Sequence, residues 1–348
     1  MTVESSTRLP ATARLLVGDA RVRLAELADA SVQACITSPP YYTQRDYDHA
    51  NQIGLETSVR AYVAELVKVF REVRRVLADD GTLWLNLGDT YAGVSKGSMG
   101  GLDKSTLTGG VRRVTETPQM LGRARADTGR KNLLGVPWRV AFALQDDGWI
   151  VRQDIIWAKT NPMPESVTDR CTKSHEHVFL LSKSERYYCD MASIAEPAVT
   201  GWNGSEFDTG KTAGHQLGRA QRRHDAGQER TAWIAPGQTP QMARRASSAG
   251  LRNKRDVWTI ATQGFNGAHF AVMPEALAEP CVLAGSRAGD AVLDPFTGTG
   301  TVGVVALRHD RHFVGVELNP EYAAIAADRV MNDAPLFNEC LVDAKGEE

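Results

Sequence analysis

Apolar positions along this chain recur with two spacings. From Arg14 onward, short runs of adjacent apolar residues alternate with longer stretches in which apolar residues return every three or four positions. That is the pattern of buried strands separated by amphipathic helices. Leu15 to Val17 is a predicted strand ending in Gly18-Asp19, and Ala34 to Thr37 is a second. Val59 to Leu77 places Tyr62, Leu66, Val69, Phe70, Val73 and Leu77 at helical spacing, and Asp79-Asp80-Gly81 stops that helix before a strand over Thr82 to Leu87. A helix over Val136 to Leu144 and strands over Trp149 to Trp157 and Val178 to Ser182 follow. Near the C-terminus come a strand over Ala291 to Asp294, a helix over Val302 to Leu307 and a strand over His312 to Val316 that ends in Glu317. Only two strands fit after Gly289, whereas a doubly wound sheet needs about six. The N-terminal strands must therefore complete the same sheet, in an α/β, Rossmann-like fold whose strand order is permuted relative to the dinucleotide-binding dehydrogenases. No internal repeat is present.

The periodicity lapses twice. Between about Ala92 and Lys131 glycine, serine, threonine and arginine dominate, as in a long mobile loop. A second irregular region runs from Gly201 to about Asp256 and contains Trp202, Phe207 and Trp233. Each carries five more basic than acidic residues. Basic residues interleaved with aromatics suit phosphate contacts and base stacking, and a solvated insertion with its own small core explains the second region equally well. Arg112, Arg113, Arg222, Arg223, Arg244 and Arg245 are the candidate phosphate contacts. The net charge of −2 is thus an average over unlike parts. The 348 residues divide into a catalytic half over 1–200, an insertion over 201–256 and a second half over 257–348.

Hydrophobic residues at 42% and charged residues at 24% exclude wholesale disorder and a fibrous protein. The five cysteines never form a C-x-x-C pair, which argues against both a disulfide framework and a zinc ribbon. The N-terminus lacks a basic segment followed by an apolar stretch, and no apolar run approaches the roughly 20 residues that span a bilayer. A soluble, cytoplasmic protein with no membrane partner is expected.

The strand Ala291 to Asp294 runs into Pro295-Phe296-Thr297-Gly298-Thr299-Gly300-Thr301. Glycines at a strand-to-helix turn let the backbone approach a ligand, and a carboxylate about 20 residues on accepts hydrogen bonds from ribose hydroxyls. Glu317 follows Asp294 at that spacing. Gly298, Gly300 and Gly303 also match G-x-G-x-x-G, so a nucleotide-dependent oxidoreductase stays open, although Pro295 removes a backbone donor from the turn. A second feature favours a flat base over a hydride acceptor. The second strand ends in Ser38-Pro39-Pro40-Tyr41, where two prolines make a rigid turn on the rim that binds ligands. The exocyclic amine of a base is a poor nucleophile because its lone pair is delocalised into the ring. The Ser38 hydroxyl and the Pro39 carbonyl can accept its two hydrogens, and the Tyr41 ring can stack on a base turned out of its duplex. Taken alone, Ser-Pro-Pro-Tyr is a proline-rich turn that caps a strand.

Two other features are set aside. Pro280-Cys281 lies in the apolar run Ala276 to Ala284, where a buried core cysteine is expected, not a nucleophile. His175-Glu176-His177 alternates along a strand with no third ligand in register, so a solvent-facing strand end is expected and no metal.

Together these motifs resemble the β class of amino-group DNA methyltransferases, over nearly the whole chain. In that family a Ser/Asp/Asn-Pro-Pro-aromatic tetrapeptide precedes the Phe-x-Gly-x-Gly cofactor loop, and a target-recognition region lies between them. Here Ser38 to Tyr41, the basic insertion and Asp294 to Thr301 stand in that order. Gly18-Asp19 resembles the acidic contact to the cofactor's adenine, and the segment His269 to Glu275 resembles the one that helps bind its methionine end. Trp149 to Arg152 and Trp157 to Pro162 resemble a strand block expected to be structural. The resemblance implies S-adenosylmethionine as cofactor, held by Asp19, Thr37, His269, Phe270, Pro274, Asp294, Pro295, Phe296, Gly298, Thr299, Gly300, Thr301 and Glu317. It implies Ser38, Pro39, Pro40 and Tyr41 as the catalytic residues and double-stranded DNA in a bacterial or archaeal nucleoid as the substrate. Serine in the first position resembles the cytosine-N4 members, with adenine N6 the alternative and a non-catalytic DNA-binding protein the alternative from another class. The recognition sequence, a homodimer and a cognate restriction endonuclease are left open.

Overall fold

In a computed structural model of the chain, residues 11–44, 49, 51–92, 128–129, 131–197, 251–264, 272–335 and 338–344 are described. Both basic regions fall largely outside them.

The chain forms β1 (Thr12–Val17), α1 (Ala20–Arg23), β2 (Val32–Thr37), α2 (Val59–Val76), β3 (Leu77–Leu87), α3 (Val136–Asp146), β4 (Ile150–Lys159) and β5 (His175–Ser182). Then follow β6 (Glu196–Pro197), β7 (Leu251–Arg252), β8 (Val257–Ile260), α4 (Glu275–Gly285), β9 (Ala291–Asp294), α5 (Thr301–Arg308), β10 (His312–Glu317), α6 (Pro320–Asp333) and β11 (Glu339–Ala344). Nine strands make one sheet in the order β11-β1-β10-β9-β2-β3-β5-β4-β8. Eight run parallel and β5 alone runs against them.

Alternation along the strands divides the core between the two faces. Leu16, Cys35, Leu83, Leu85 and Leu293 pack with α2 and α3, whereas Leu15, Ala34, Ile36, Trp84 and Val292 pack with α4, α5 and α6. Helix α2 shows why the sequence pattern was readable. The Ser58 hydroxyl accepts from the Ala61 amide at 3.1 Å to cap it, and the predicted stripe of Tyr62, Leu66, Val69, Phe70 and Val73 is fully buried.

The connections set the position of the site. The chain crosses from β2 to β3 in one direction and from β9 to β10 in the other, so β9 and β2, which are hydrogen-bonded neighbours, flank the point where the winding reverses. Ligands bind such sheets at the carboxyl ends of the strands at that point. Here those ends are Asp294 and Thr37.

Two expectations change. The segment after Gly289 supplies three strands, because β11 joins β1 at the sheet edge, where Leu341 and Val342 remain exposed and give no buried-strand pattern. Strand β3 begins at Leu77, directly after α2, so Asp79 and Asp80 lie within it. Near the end of the expected insertion, Leu251 and Arg252 pair with Pro197 and Glu196.

Both irregular regions are closed at their bases. The Ala92 amide donates to the Asn132 carbonyl and the Lys131 amide to the Ala92 carbonyl, each at 2.7 Å, beside a Tyr91–Leu133 bridge. The β6–β7 pair closes the second region, and Glu196 also accepts from Arg252 and Arg255 at 3.0 Å each.

Candidate active site

Strand β9 ends at Asp294, and the chain turns through Pro295 to Gly300 into α5. The turn is held by its own polar atoms. Asp294 Oδ1 accepts from the Phe296 amide at 3.0 Å, and Thr297 Oγ1 donates to the Asp294 carbonyl at 3.0 Å. Gly298 and Gly300 adopt φ of +52° and +78°, conformations that a β-carbon disfavours. A β-carbon on Gly300 would lie 3.0 Å from that of Ala326, so this glycine lets α6 pack against the turn. Arg329 of α6 grips the same turn, donating to the Thr299 carbonyl at 2.8 Å and to the hydroxyls of Thr299 and Thr301.

Two carboxylates lie under the turn. Asp294 is 4% exposed and accepts from Thr37 Oγ1 at 2.6 Å, a bond that ties β2 to β9. Glu317, at the end of β10, accepts the Gly298 amide at 2.7 Å on one oxygen and the Asn319 amide at 2.9 Å on the other. Burial pushes each carboxyl up to about 7, against the pull of those hydrogen bonds.

One strand over, Ser38-Pro39-Pro40-Tyr41 extends from β2. The Tyr62 hydroxyl donates to the Pro40 carbonyl at 2.9 Å and fixes the turn against α2. Ser38 Oγ donates to the Tyr41 hydroxyl at 3.3 Å, which leaves the serine lone pairs free to accept. The Tyr41 ring lies against Gly88, where a β-carbon would come within 2.6 Å of it. Burial, and then the neighbouring Glu176 carboxylate, push the Tyr41 phenol well above its ordinary range, so it remains a neutral O–H.

These parts open into one cleft of about 690 Å³, within the usual size of a ligand site. Asp19, Ser38, Pro39, Pro40, Tyr41, Asp294, Pro295, Phe296, Gly298, Thr299, Thr301 and Glu317 line it as the sequence expected. Three expected residues stand behind the lining. Thr37 is buried and holds Asp294, Gly300 faces Ala326, and Pro274 begins α4 while Val272 and Met273 reach the cleft. The Asp19 carboxylate pairs with Arg21 at 2.5 Å, and Arg21 is anchored in turn by Glu65 at 2.7 Å. His269, Phe270, Arg112, Arg113, Arg222, Arg223, Arg244 and Arg245 lie outside the described residues.

Two further residues reach the cleft, and the sequence reading assigned both elsewhere. Glu176, expected on a solvent-facing strand end, is 8% exposed and lines the cleft. It accepts from the Tyr41 hydroxyl at 2.6 Å and from Asn86 Nδ2 at 3.1 Å, and it pairs with Lys159 at 2.5 Å. Because β5 is antiparallel, its first residues lie beside the last residues of β3 and β4, which places Glu176 and Lys159 on the ligand rim. The block Trp157 to Pro162, expected to be structural, thus lines the cleft at Trp157, Lys159 and Pro162. The alternation of His-Glu-His was the available signal, since it sends Glu176 to the face opposite both histidines. Cys281, by contrast, is buried as expected. Its thiol donates to the Leu277 carbonyl at 3.3 Å, and desolvation holds it far from ionisation.

The cleft suits S-adenosylmethionine. Each Glu317 oxygen accepts a backbone amide and has a further lone pair with which to accept a hydroxyl of a bound ligand. Two buried carboxyls in one cleft match a cofactor that bears cationic groups. A glycine turn and an acceptor carboxylate beside a rigid Ser-Pro-Pro-Tyr turn, across the reversal point of a mostly parallel sheet, define an S-adenosylmethionine-dependent methyltransferase. The DNA methylase family that transfers methyl groups to N6 or N4 matches residues 32–328, and the chain belongs to that family.

The relatives agree. The type II methyltransferase M.Cfr9I of Citrobacter freundii is 42% identical over 321 residues, 92% of this chain and 88% of that one. M.SmaI of Serratia marcescens is 42% identical over 329 residues, 94% and 93% of the two chains. Among solved structures, the cytosine-N4-specific PvuII DNA methyltransferase superposes with a TM-score of 0.57 at 18% identity, covering 92% of this chain and 87% of that one. A DNA modification methylase of Thermus thermophilus, crystallised with S-adenosyl-L-methionine, gives 0.53 at 24% identity, covering 95% and 100%. At these identities the likeness is one of fold. The protein is an S-adenosylmethionine-dependent DNA methyltransferase, and the oxidoreductase and non-catalytic readings fall away. No described helix is long and apolar enough to cross a membrane.

Proposed function

We propose that the protein methylates the exocyclic N4 amine of cytosine at a specific sequence in double-stranded DNA, with the target base turned out of the helix. The observation that carries this reading is Ser38 in the first position of the rim turn, its hydroxyl hydrogen directed to Tyr41 and its lone pairs left for the amine. The Ser38 hydroxyl and the Pro39 carbonyl accept the two amine hydrogens, which draws the nitrogen toward tetrahedral geometry and localises its lone pair. The exposed part of the Tyr41 ring receives the face of the extruded base, which offsets part of the few kcal/mol that extrusion costs. Asp294 and Glu317 hold the cofactor, with Asp19 and Phe296 lining the same cleft. When bound, S-adenosylmethionine supplies an electrophilic methyl group on a sulfonium. The basic residues of 92–131 and 201–256 contact DNA, and the second segment reads the target. The relatives' type II designation supports a cognate restriction endonuclease.

Nucleoside mass spectrometry of unmodified DNA treated with the protein and cofactor tests the reading. N4-methylcytosine is expected, and N6-methyladenine would replace cytosine with the alternative base. Ser38→Ala and Tyr41→Ala should each lower turnover by at least tenfold, and full activity in both would refute the roles given to the rim turn.

A further inference from the structure

Methyl transfer to a neutral amine leaves the nitrogen with one proton too many, and the Ser38 hydroxyl has no charge with which to keep it. The structure shows where that proton can go. Ser38 Oγ donates to the Tyr41 hydroxyl at 3.3 Å, and the Tyr41 hydroxyl donates to Glu176 Oε2 at 2.6 Å. Asn86 Nδ2 braces the junction, 3.0 Å from the tyrosine oxygen and 3.1 Å from Glu176 Oε2. The other Glu176 oxygen is held by Lys159 at 2.5 Å. All the hydroxyl hydrogens point the same way, from the cleft toward a carboxylate.

We propose that Ser38, Tyr41 and Glu176 form a proton relay in which Glu176 is the terminal acceptor and Lys159, paired with its other oxygen, is the positioning residue. The proposal rests on the amine-methylating reading of this site. The methylated amine gives a proton to Ser38 Oγ as the serine proton passes to the Tyr41 oxygen and the tyrosine proton to Glu176 Oε2. One N–H and two O–H bonds break, three O–H bonds form, and Glu176 ends as the neutral acid, which later returns its proton to solvent. Tyr41 is suited to this part because its phenol stays protonated between turnovers. Lys173 and His175 also interact electrostatically with Glu176, and desolvation lowers both of their values. Lys159 is thus the cation paired directly with the acceptor.

The test is single-turnover methylation of a DNA duplex from pH 5 to 9, with cofactor affinity measured separately by calorimetry. Glu176→Gln keeps an acceptor for Tyr41 but no longer takes a proton. Cofactor affinity should stay within a few-fold of wild type, while the rate falls about 100-fold, as general-base catalysis contributes 10²–10⁴, and the decline toward low pH disappears. Lys159→Met should lower the rate and displace the low-pH decline, because Glu176 loses the cation paired with it. A Glu176→Gln rate within threefold of wild type, or a Lys159→Met profile with an unmoved decline, would overturn the relay. The product formed by the wild type decides the target base independently, since the relay serves either amine.

Discussion

Asp294 is a carboxylate kept where it is energetically unwelcome, and replacing it with asparagine should make the apo-protein more stable. The side chain is 4% exposed, and its Oδ1 takes both the Thr37 hydroxyl and the Phe296 amide. Asparagine offers the same oxygen, so the change removes charge and leaves both bonds in place. The carboxyl ionises at about 7 in the folded protein against 3.8 for an unperturbed aspartate. A raised value means that the native state holds a proton already lost from the unfolded chain, so stability falls as pH rises from roughly 4 to 7 and is level above. Three pH units at about 1.4 kcal/mol each give about 4 kcal/mol. Asp294 also contributes to the raised value of Glu317, so the variant relieves a second group in the same direction. Urea unfolding followed by circular dichroism, without cofactor, reads the difference. Asp294→Asn should exceed wild type by an amount that widens by about 3 kcal/mol between pH 5 and 8, and S-adenosylmethionine should bind it more weakly. A stability difference that is constant over that range would show that the buried charge is not the source, and the argument would fail.

Three other outcomes follow from the geometry. Gly300→Ala combines a φ of +78° with a 3.0 Å approach to Ala326, and should cost about 1–3 kcal/mol and weaken cofactor binding by calorimetry. Cys281→Ala should keep methylation within a few-fold of wild type in a radiolabel assay, because the buried thiol faces the Leu277 carbonyl and not the cleft. DNA affinity measured by fluorescence anisotropy should fall steeply between 50 and 200 mM salt if the two basic segments contact phosphates, whereas cofactor affinity should change little.

What could be read directly from the sequence was local. A proline pair after a short apolar run, a glycine turn after another, and a glutamate at ribose spacing are each contained in a few consecutive residues, and the structure gathers all three into one cleft. Glu176 was expected at a solvent-facing strand end and Lys159 carried no expected role of its own, because the place of both in the cleft depends on strand direction. Nothing within His175 to Ser182 shows that β5 runs against its neighbours, and only that reversal carries Glu176 to Tyr41. Strand β11 was missed for a different reason. An edge strand with Leu341 and Val342 in solvent lacks the buried face from which periodicity is read. Asp19 shows a third limit, since its expected role at the cofactor carried no sign that Arg21 occupies its carboxylate.

The two closed stems bear on what the stretches between them can change without cost to the sheet. Residues 92 and 131 are joined by a backbone hydrogen bond, and residues 197 and 251 face each other in the β6–β7 pair. Each stem therefore fixes the two ends of the intervening stretch at one place, so a change in that stretch's length or composition need not move a strand of the sheet. Loop-closure entropy grows only logarithmically with length, so long replacements cost little. The stems mark natural splice points, at which residues 93–130 or 198–250 can be exchanged between relatives while the strands that carry the cleft keep their ends.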